Sequence, residues 1–176
     1  MAAPTDPRYH PLRVRAVMEE TEDAKSVVFE VPPELADTFA YKPGQFLTLR
    51  LAVGSRHVRR CYSMSSAPAV DDAPRVTIKR VRDGVGSNWV CDRITAGDTI
   101  EVLPPSGAFT PRAGLDGDFL LLAGGSGITP VFSILRSTLH LGTGRVVLLY
   151  MNRDERSIIF RKELMTLAAA HPTRLQ

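Results

Sequence analysis

Apolar and polar residues alternate through residues 12–18 (LRVRAVM), the period of a strand with one face in a core and one in water. Residues 26–31 (SVVFEV) are rich in β-branched side chains and stop at Pro32-Pro33. A Pro43-Gly44 turn precedes a second alternating run at 45–51, and Gly54-Ser55 turns the chain into a segment ending Arg59-Arg60-Cys61-Tyr62-Ser63. Residues 75–81 and 98–103 supply two more strands. Six short strands separated by turn signals predict a closed or nearly closed antiparallel barrel. One helix interrupts them: Gly84-Val85-Gly86-Ser87 leads into residues 88–94, with Ser87 or Asn88 placed to cap it over a mouth of the barrel.

Beyond residues 114–118 the pattern changes. Phe119-Leu120-Leu121-Leu122-Ala123 is continuously apolar, the signature of a strand buried on both faces of a parallel sheet. Gly124-Gly125-Ser126-Gly127-Ile128-Thr129-Pro130 follows, then a helix with Val131, Ile134, Leu135 and Leu139 on one side. Thr129 is placed to cap this helix and Pro130 to occupy its first position. A second buried strand at 146–151 precedes a second helix, expected from Ser157, with Phe160, Leu164 and Leu167 inward. The predicted fold class is β plus α/β. A six-stranded antiparallel barrel over residues 1–112 leads into the first half of a doubly wound parallel α/β domain over residues 113–176.

Candidate chemistry sits at three places. In a strand, Arg60 and Tyr62 share one face, while Cys61 is expected to point the other way, toward a core. A guanidinium beside a phenol suits a ligand with both an anionic group and a flat ring system. Ser63 adds a hydroxyl where that strand ends. The glycine turn at 84–88 and the longer one at 124–130 each open a helix, where free backbone N–H groups favour phosphate. The second departs from the standard dinucleotide fingerprint, with Pro130 where a glycine would stand. Trp89 reads as a packing residue.

Composition narrows the classes. The 176 residues carry a net charge of only +3, and the densest basic cluster, residues 56–60, lies on the candidate ligand strand, which argues against a nucleic-acid surface. Two cysteines cannot build a disulfide framework, a four-cysteine zinc site or an iron–sulfur site. No metal site is expected, since His10, His57, His140 and His171 lack ligand spacing; His57 reads as solvent-facing. Neither a secretory signal nor a membrane span is visible, so a cytoplasmic protein without membrane contact is expected.

In chain order, Tyr41-Lys42-Pro43-Gly44-Gln45-Phe46, Arg60-Cys61-Tyr62-Ser63, Val76-Thr77-Ile78-Lys79-Arg80, Gly84 through Trp89, Pro105-Ser106-Gly107-Ala108-Phe109, Leu122 through Pro130 and Asn152-Arg153-Asp154 resemble the ferredoxin–NAD(P)+ reductase superfamily. The pattern is similar to the reductase components of bacterial multicomponent oxygenases, the ketosteroid 9α-hydroxylase and phenylacetyl-CoA oxygenase type. The resemblance implies FAD rather than FMN, and NADH rather than NADPH. Arg60 would pair with the flavin phosphate or pyrophosphate, Tyr62 would pack on the isoalloxazine, and Ser63 would lie near flavin N5; Ser63 and Tyr62 are the catalytic candidates. Backbone at Ile78, Lys79 and Arg80 would hold the pyrimidine edge, and Gly86, Ser87 and Asn88 would supply N–H groups to the pyrophosphate. Gly124, Gly125, Gly127, Thr129 and Pro130 would receive the nicotinamide dinucleotide, with Asn152 and Arg153 at its adenosine half and Asp154 or Glu155 at a ribose hydroxyl. A hydride would pass from nicotinamide C4 to flavin N5, and single electrons onward to an iron–sulfur acceptor, either a ferredoxin domain or an oxygenase component.

The family's nucleotide domain has further strands and a Cys-Gly-Pro-type segment that are not among these residues, and no iron–sulfur cluster is expected here. The flavin half therefore reads as whole and the nucleotide half as partial. The chain is expected to bind flavin but to reduce it slowly with NADH unless something completes the sheet. The alternatives are a flavin-holding electron-transfer module that needs a separate chain, and a barrel with a vestigial cofactor site.

Overall fold

A computed structural model describes residues 6–176. Six strands, β1 (His10–Thr21), β2 (Ala24–Glu30), β3 (Phe46–Val53), β4 (Arg56–Ser63), β5 (Arg75–Lys79) and β6 (Thr99–Ser106), form one antiparallel sheet. Their order is β4-β3-β6-β1-β2-β5. The end strands curl toward each other: Met64, just past β4, bridges Val76 of β5, and the Ser65 N–H donates to the Arg75 carbonyl at 2.8 Å. This is the nearly closed barrel that the alternation predicts. Alternate residues such as Leu12, Val14, Val27, Phe29, Leu47, Leu49 and Leu51 fill its interior.

Helix α1 (Val85–Arg93) lies across β3, β4 and β5, and it adds Val90 and Cys91 to the core with Trp89 packed at the edge. It starts earlier than the sequence reading placed it. Gly84 is its N-cap without a side-chain bond, so Gly86 and Ser87 lie inside the first turn rather than ahead of it.

The second unit pairs β7 (Phe119–Gly124) in parallel with β8 (Val146–Met151). Between them run a 3₁₀ turn (Gly125–Gly127) and α2 (Ile128–Leu141), and after β8 come a 3₁₀ turn (Glu155–Ser157) and α3 (Arg161–Ala170). Residues 174–176 begin a further parallel ladder beside β8, through Val146 and Leu148. Leu121, Ala123 and Val146 pack against Val131, Phe132, Leu135 and Phe160.

Three sequence expectations need correction in this unit. The strands are not buried on both faces: Leu120, Leu122, Leu149 and Met151 are 54–69% exposed. An apolar run states that both faces could be covered, but here the helices supply a layer on one side only. The helix after the glycine turn is not capped by Thr129. The 3₁₀ turn carries the backbone into α2 from Ile128, so Pro130 is third, and the Thr129 hydroxyl donates back to the Ser126 carbonyl at 3.0 Å. The last helix does not begin at Ser157, whose N–H instead closes a capping box with Asp154. Phe160, stacked on Phe132 at a centroid distance of 4.3 Å, takes a left-handed backbone (φ 62°) and delays α3 to Arg161.

The two units are pinned together through the loop after β4. The Ser133 hydroxyl of α2 donates to the Ser66 carbonyl at 2.6 Å, and the Ser66 hydroxyl accepts from Tyr41 (2.6 Å) and from the Arg75 N–H (2.9 Å). Arg136 makes two bonds to Asp71, at 2.5 and 3.0 Å. The Arg75 guanidinium lies 5.3 Å from the Phe160 ring centroid and 5.9 Å from that of Phe132.

Candidate functional site

The register of β3 against β4 decides which way the candidate side chains point. Leu49 pairs with Arg60, Leu47 with Tyr62 and Thr48 with Cys61. Residues directly opposite in a sheet share a face, so Arg60 and Tyr62 stand on the interior side with the buried Leu47 and Leu49. Cys61 is the outward residue, exposed and 3.4 Å from the Thr48 hydroxyl, which reverses the expectation that it faces a core. The candidate face is thus the inner face of the barrel at the mouth where α1 lies.

Gly86 of α1 meets that face. A Cβ added there would fall 2.8 Å from Arg60 Cγ and 3.4 Å from the Tyr62 hydroxyl, so only a glycine lets the helix come this close. Arg60, Tyr62 and Gly86, 26 positions apart at their extremes, form one small surface. The Arg60 guanidinium bonds only the neighbouring Arg59 carbonyl, at 2.7 Å, and meets no carboxylate among the described residues. Tyr62 is half-buried, and burial pushes its hydroxyl up to about 12, so it is a neutral phenol at neutral pH. Ser63 ends β4 opposite Phe46.

The first turn of α1 offers the N–H groups that helical geometry leaves without internal partners. Gly86 and Ser87 are there, whereas the Asn88 N–H already donates to the Gly84 carbonyl at 3.1 Å. The Ser87 and Asn88 side chains hold the preceding loop: Ser87 accepts from the Val81 N–H (3.1 Å) and Asn88 donates to the Val81 carbonyl (3.3 Å). Ile78 is fully buried. Lys79 faces Asp23 at 3.4 Å, and Arg80 is paired with Asp92 at 2.5 Å. Since β5 is an end strand, its outer backbone edge past Val76 has no strand beside it among the described residues.

The second candidate surface is the C-terminal end of β7 and β8, where Gly124 and Met151 are paired and Asn152 follows. A Cβ at Gly124, Gly125 or Gly127 would meet nothing within 4 Å, so packing inside the chain does not require glycine at these positions. Both polar atoms of the Asn152 amide are buried and make no short hydrogen bond, with the Tyr150 hydroxyl alongside. A buried amide left unpaired costs about 1–3 kcal/mol, and an open glycine cradle beside it is the arrangement that a polar phosphate-bearing ligand satisfies. Arg153 is 79% exposed, with Asp23 at 3.8 Å. Asp154 is engaged by the Ser157 N–H at 2.9 Å and Glu155 is paired with Arg161, so neither acidic side chain is free.

Asp23, in the β1–β2 turn, went unnoticed in the sequence. Its carbonyl accepts from the Arg80 N–H at 2.7 Å, and its carboxylate faces both Lys79 and Arg153, so it joins the two surfaces. Ser66 and Ser133 were missed too, because nothing local distinguishes them from other serines. Cavities of about 580 Å³ (Met18, Glu20, Ile158 and Phe160 among its walls) and 400 Å³ (Asp23, Arg153 and Arg156) open between the β1–β2 hairpin and the segment from Arg153 to Glu163.

Comparison with known proteins identifies the family. The profile of the oxidoreductase FAD-binding domain matches residues 11–110, and that of the oxidoreductase NAD-binding domain matches residues 121–176. The 3-ketosteroid-9-alpha-monooxygenase ferredoxin reductase component of Rhodococcus rhodochrous is 62% identical over 93% of this chain, which covers 47% of that protein. A component of the 1,2-phenylacetyl-CoA epoxidase of Escherichia coli (strain K12) is 36% identical over 96% of this chain and 48% of its own length. The structure of phthalate dioxygenase reductase superposes with a TM-score of 0.83 at 27% identity, over 99% of this chain and 53% of that one. No helix among the described residues is long and apolar enough to cross a membrane. The chain spans about half the length of the curated relatives it matches, and it belongs to the ferredoxin reductase family of oxidoreductases, in which an FAD-binding barrel is followed by an NAD-binding domain.

Proposed function

We propose that this chain is the flavin-holding, pyridine-nucleotide-accepting part of an electron-transfer reductase that serves an oxygenase. The observation that carries the reading is the contact of Arg60 and Tyr62 with Gly86, which puts a guanidinium that meets no carboxylate among the described residues, a neutral phenol and the first turn of α1 on one surface. Arg60 and the Gly86 and Ser87 amides would hold the FAD phosphates, and the Tyr62 ring would stack on the flat ring system. Ser63 would offer its hydroxyl at the reactive edge. Once bound, the flavin supplies the chemistry that converts a two-electron donor into single electrons, and the chain supplies position and charge.

Gly124, Gly125 and Gly127 leave room for the dinucleotide, the unpaired Asn152 amide supplies polar contacts, and Arg153 lies toward the adenosine half. Thr129 and Pro130 shape the turn, the Thr129 hydroxyl being bonded to Ser126. Residues 1–112 act as the flavin unit and 113–176 as the nucleotide unit. NADH is the donor and an iron–sulfur centre the acceptor; phthalate dioxygenase reductase, of similar fold, transfers electrons from pyridine nucleotides to [2Fe–2S]. The site of action is the cytoplasm.

The bare face of β7 and β8 favours one other reading, a flavin-holding module whose nucleotide site is completed by another polypeptide. An anaerobic visible spectrum separates the two. Flavin bands that bleach on adding NADH support the reductase. Bands that persist support the module, and a colourless protein overturns both.

A further inference from the structure

We infer that Tyr150 is a positioning residue for the glycine turn, holding the Gly125 peptide so that the turn presents N–H groups to a dinucleotide pyrophosphate. The inference rests on reading residues 124–130 as the nucleotide turn and adds to it a side chain outside the turn.

Tyr150 stands on β8 opposite Ala123, one residue from the strand's C-terminal end. Val146, Leu148 and Tyr150 alternate toward the helices, so the phenol ring lies in the packed layer while its tip reaches the end of the sheet. There the hydroxyl donates to the Gly125 carbonyl at 3.0 Å and accepts from the Ile159 N–H at 3.3 Å. The same carbonyl accepts from the Ile128 N–H that closes the 3₁₀ turn. A carbonyl oxygen has two acceptor sites, and both are thus used inside the protein.

The chemistry of the turn gives this weight. Gly125 has φ +49°, a region that glycine enters freely, so its peptide is also free to reorient. A carbonyl swung toward a pyrophosphate would repel it, whereas the amides of Ser126 and Gly127 attract it. Tyr150 holds the Gly125 carbonyl away from the ligand side, and the Ile159 amide anchors the phenol in turn. Burial raises the Tyr150 pKa, so the hydroxyl keeps its proton at neutral pH and can donate. Asn152 follows two residues later, its side-chain amide beside the same Tyr150 hydroxyl, so Tyr150 stands at the end of the sheet where the ligand would be received.

Tyr150→Phe keeps the ring in the packed layer and removes only the hydroxyl. Two measurements on the purified chain test the inference: calorimetric binding of ADP-ribose, and amide hydrogen exchange at residues 126–129 without ligand. The expected result is roughly 2- to 10-fold weaker ADP-ribose binding, the range of one lost neutral hydrogen bond. Exchange in the turn should be faster, with flavin content unchanged and the melting temperature lowered by roughly several degrees at most, the cost of one buried hydrogen bond. Binding equal to that of the parent, or unchanged exchange in the turn, overturns the role of Tyr150 while leaving the nucleotide reading intact. A parent chain that fails to bind ADP-ribose overturns the nucleotide reading and this inference with it.

Discussion

Arg60 sits on a strand that also exposes Arg56, His57 and Arg59, yet only Arg60 touches Gly86, so its loss should be felt by a phosphate. Charged hydrogen bonds contribute about 1.5–3 kcal/mol against about 0.5–1.5 for neutral ones. Arg60→Ala should therefore weaken FAD retention on the order of 10- to 100-fold, and Tyr62→Phe, which keeps the stacking ring, less than roughly 10-fold. Equal flavin content in the two purified variants would falsify that ranking. The pairing of Arg60 with Tyr62 was legible because a strand has a period of two. Which side held the core was not, because that depends on the register with β3, and Cys61 came out reversed. A second titrating residue follows a different sign. Glu20 is half-buried and accepts from Ser26 at 2.5 Å. Burial raises its pKa above the ordinary 4.5, the Ser26 bond opposing this in part. The folded state then binds the proton more tightly than the unfolded one, so stability falls as pH rises from 4.5 through the raised value. Glu20→Gln, still able to accept from Ser26, should flatten that fall. Its melting temperature relative to the parent should rise between about pH 4 and pH 8; a constant difference would count against the burial argument.

At the level of elements, β7 and β8 hide one side under α2 and show the other, with Leu120, Leu122, Val147, Leu149 and Met151 exposed in alternation. An apolar surface of this kind is open to hydrophobic probes. Leu122→Lys with Leu149→Lys should reduce binding of a hydrophobic dye several-fold while changing stability by less than about 1 kcal/mol, two surface substitutions at up to roughly 0.5 each. Leu121→Lys, on the packed side, should prevent folding. If the double variant unfolds like Leu121→Lys, the face is not free in solution. The strands themselves were plain in the sequence, since local side-chain pattern sets them. Helix starts were displaced by up to about four residues, because Gly84, Gly127 and Phe160 take backbone conformations that tertiary contacts select.

For the whole molecule, the Ser66–Ser133 bond and the Arg136–Asp71 pair tie the barrel to the nucleotide unit, so the two should unfold in one transition. Arg136→Ala breaks a pair that is less than one-third exposed on both sides and should cost on the order of 2 kcal/mol, lowering the melting temperature by roughly 4–8 °C. Two separate transitions in the parent chain would show that the units are not coupled. None of this clasp was legible in the sequence. Its partners lie 65 and 67 positions apart and are ordinary surface-type residues until the fold brings them together. The barrel also sorts the two thiols: Cys61 is open to solvent, while Cys91 lies in the core with its pKa raised by burial. An aromatic disulfide reagent should therefore titrate one thiol per native chain rapidly and the second only after denaturation. A fluorophore placed on Cys61 would sit across one strand from the face that carries Arg60 and Tyr62, where a bound flavin would quench it, so that light emission from the labelled chain would report the filling of the site.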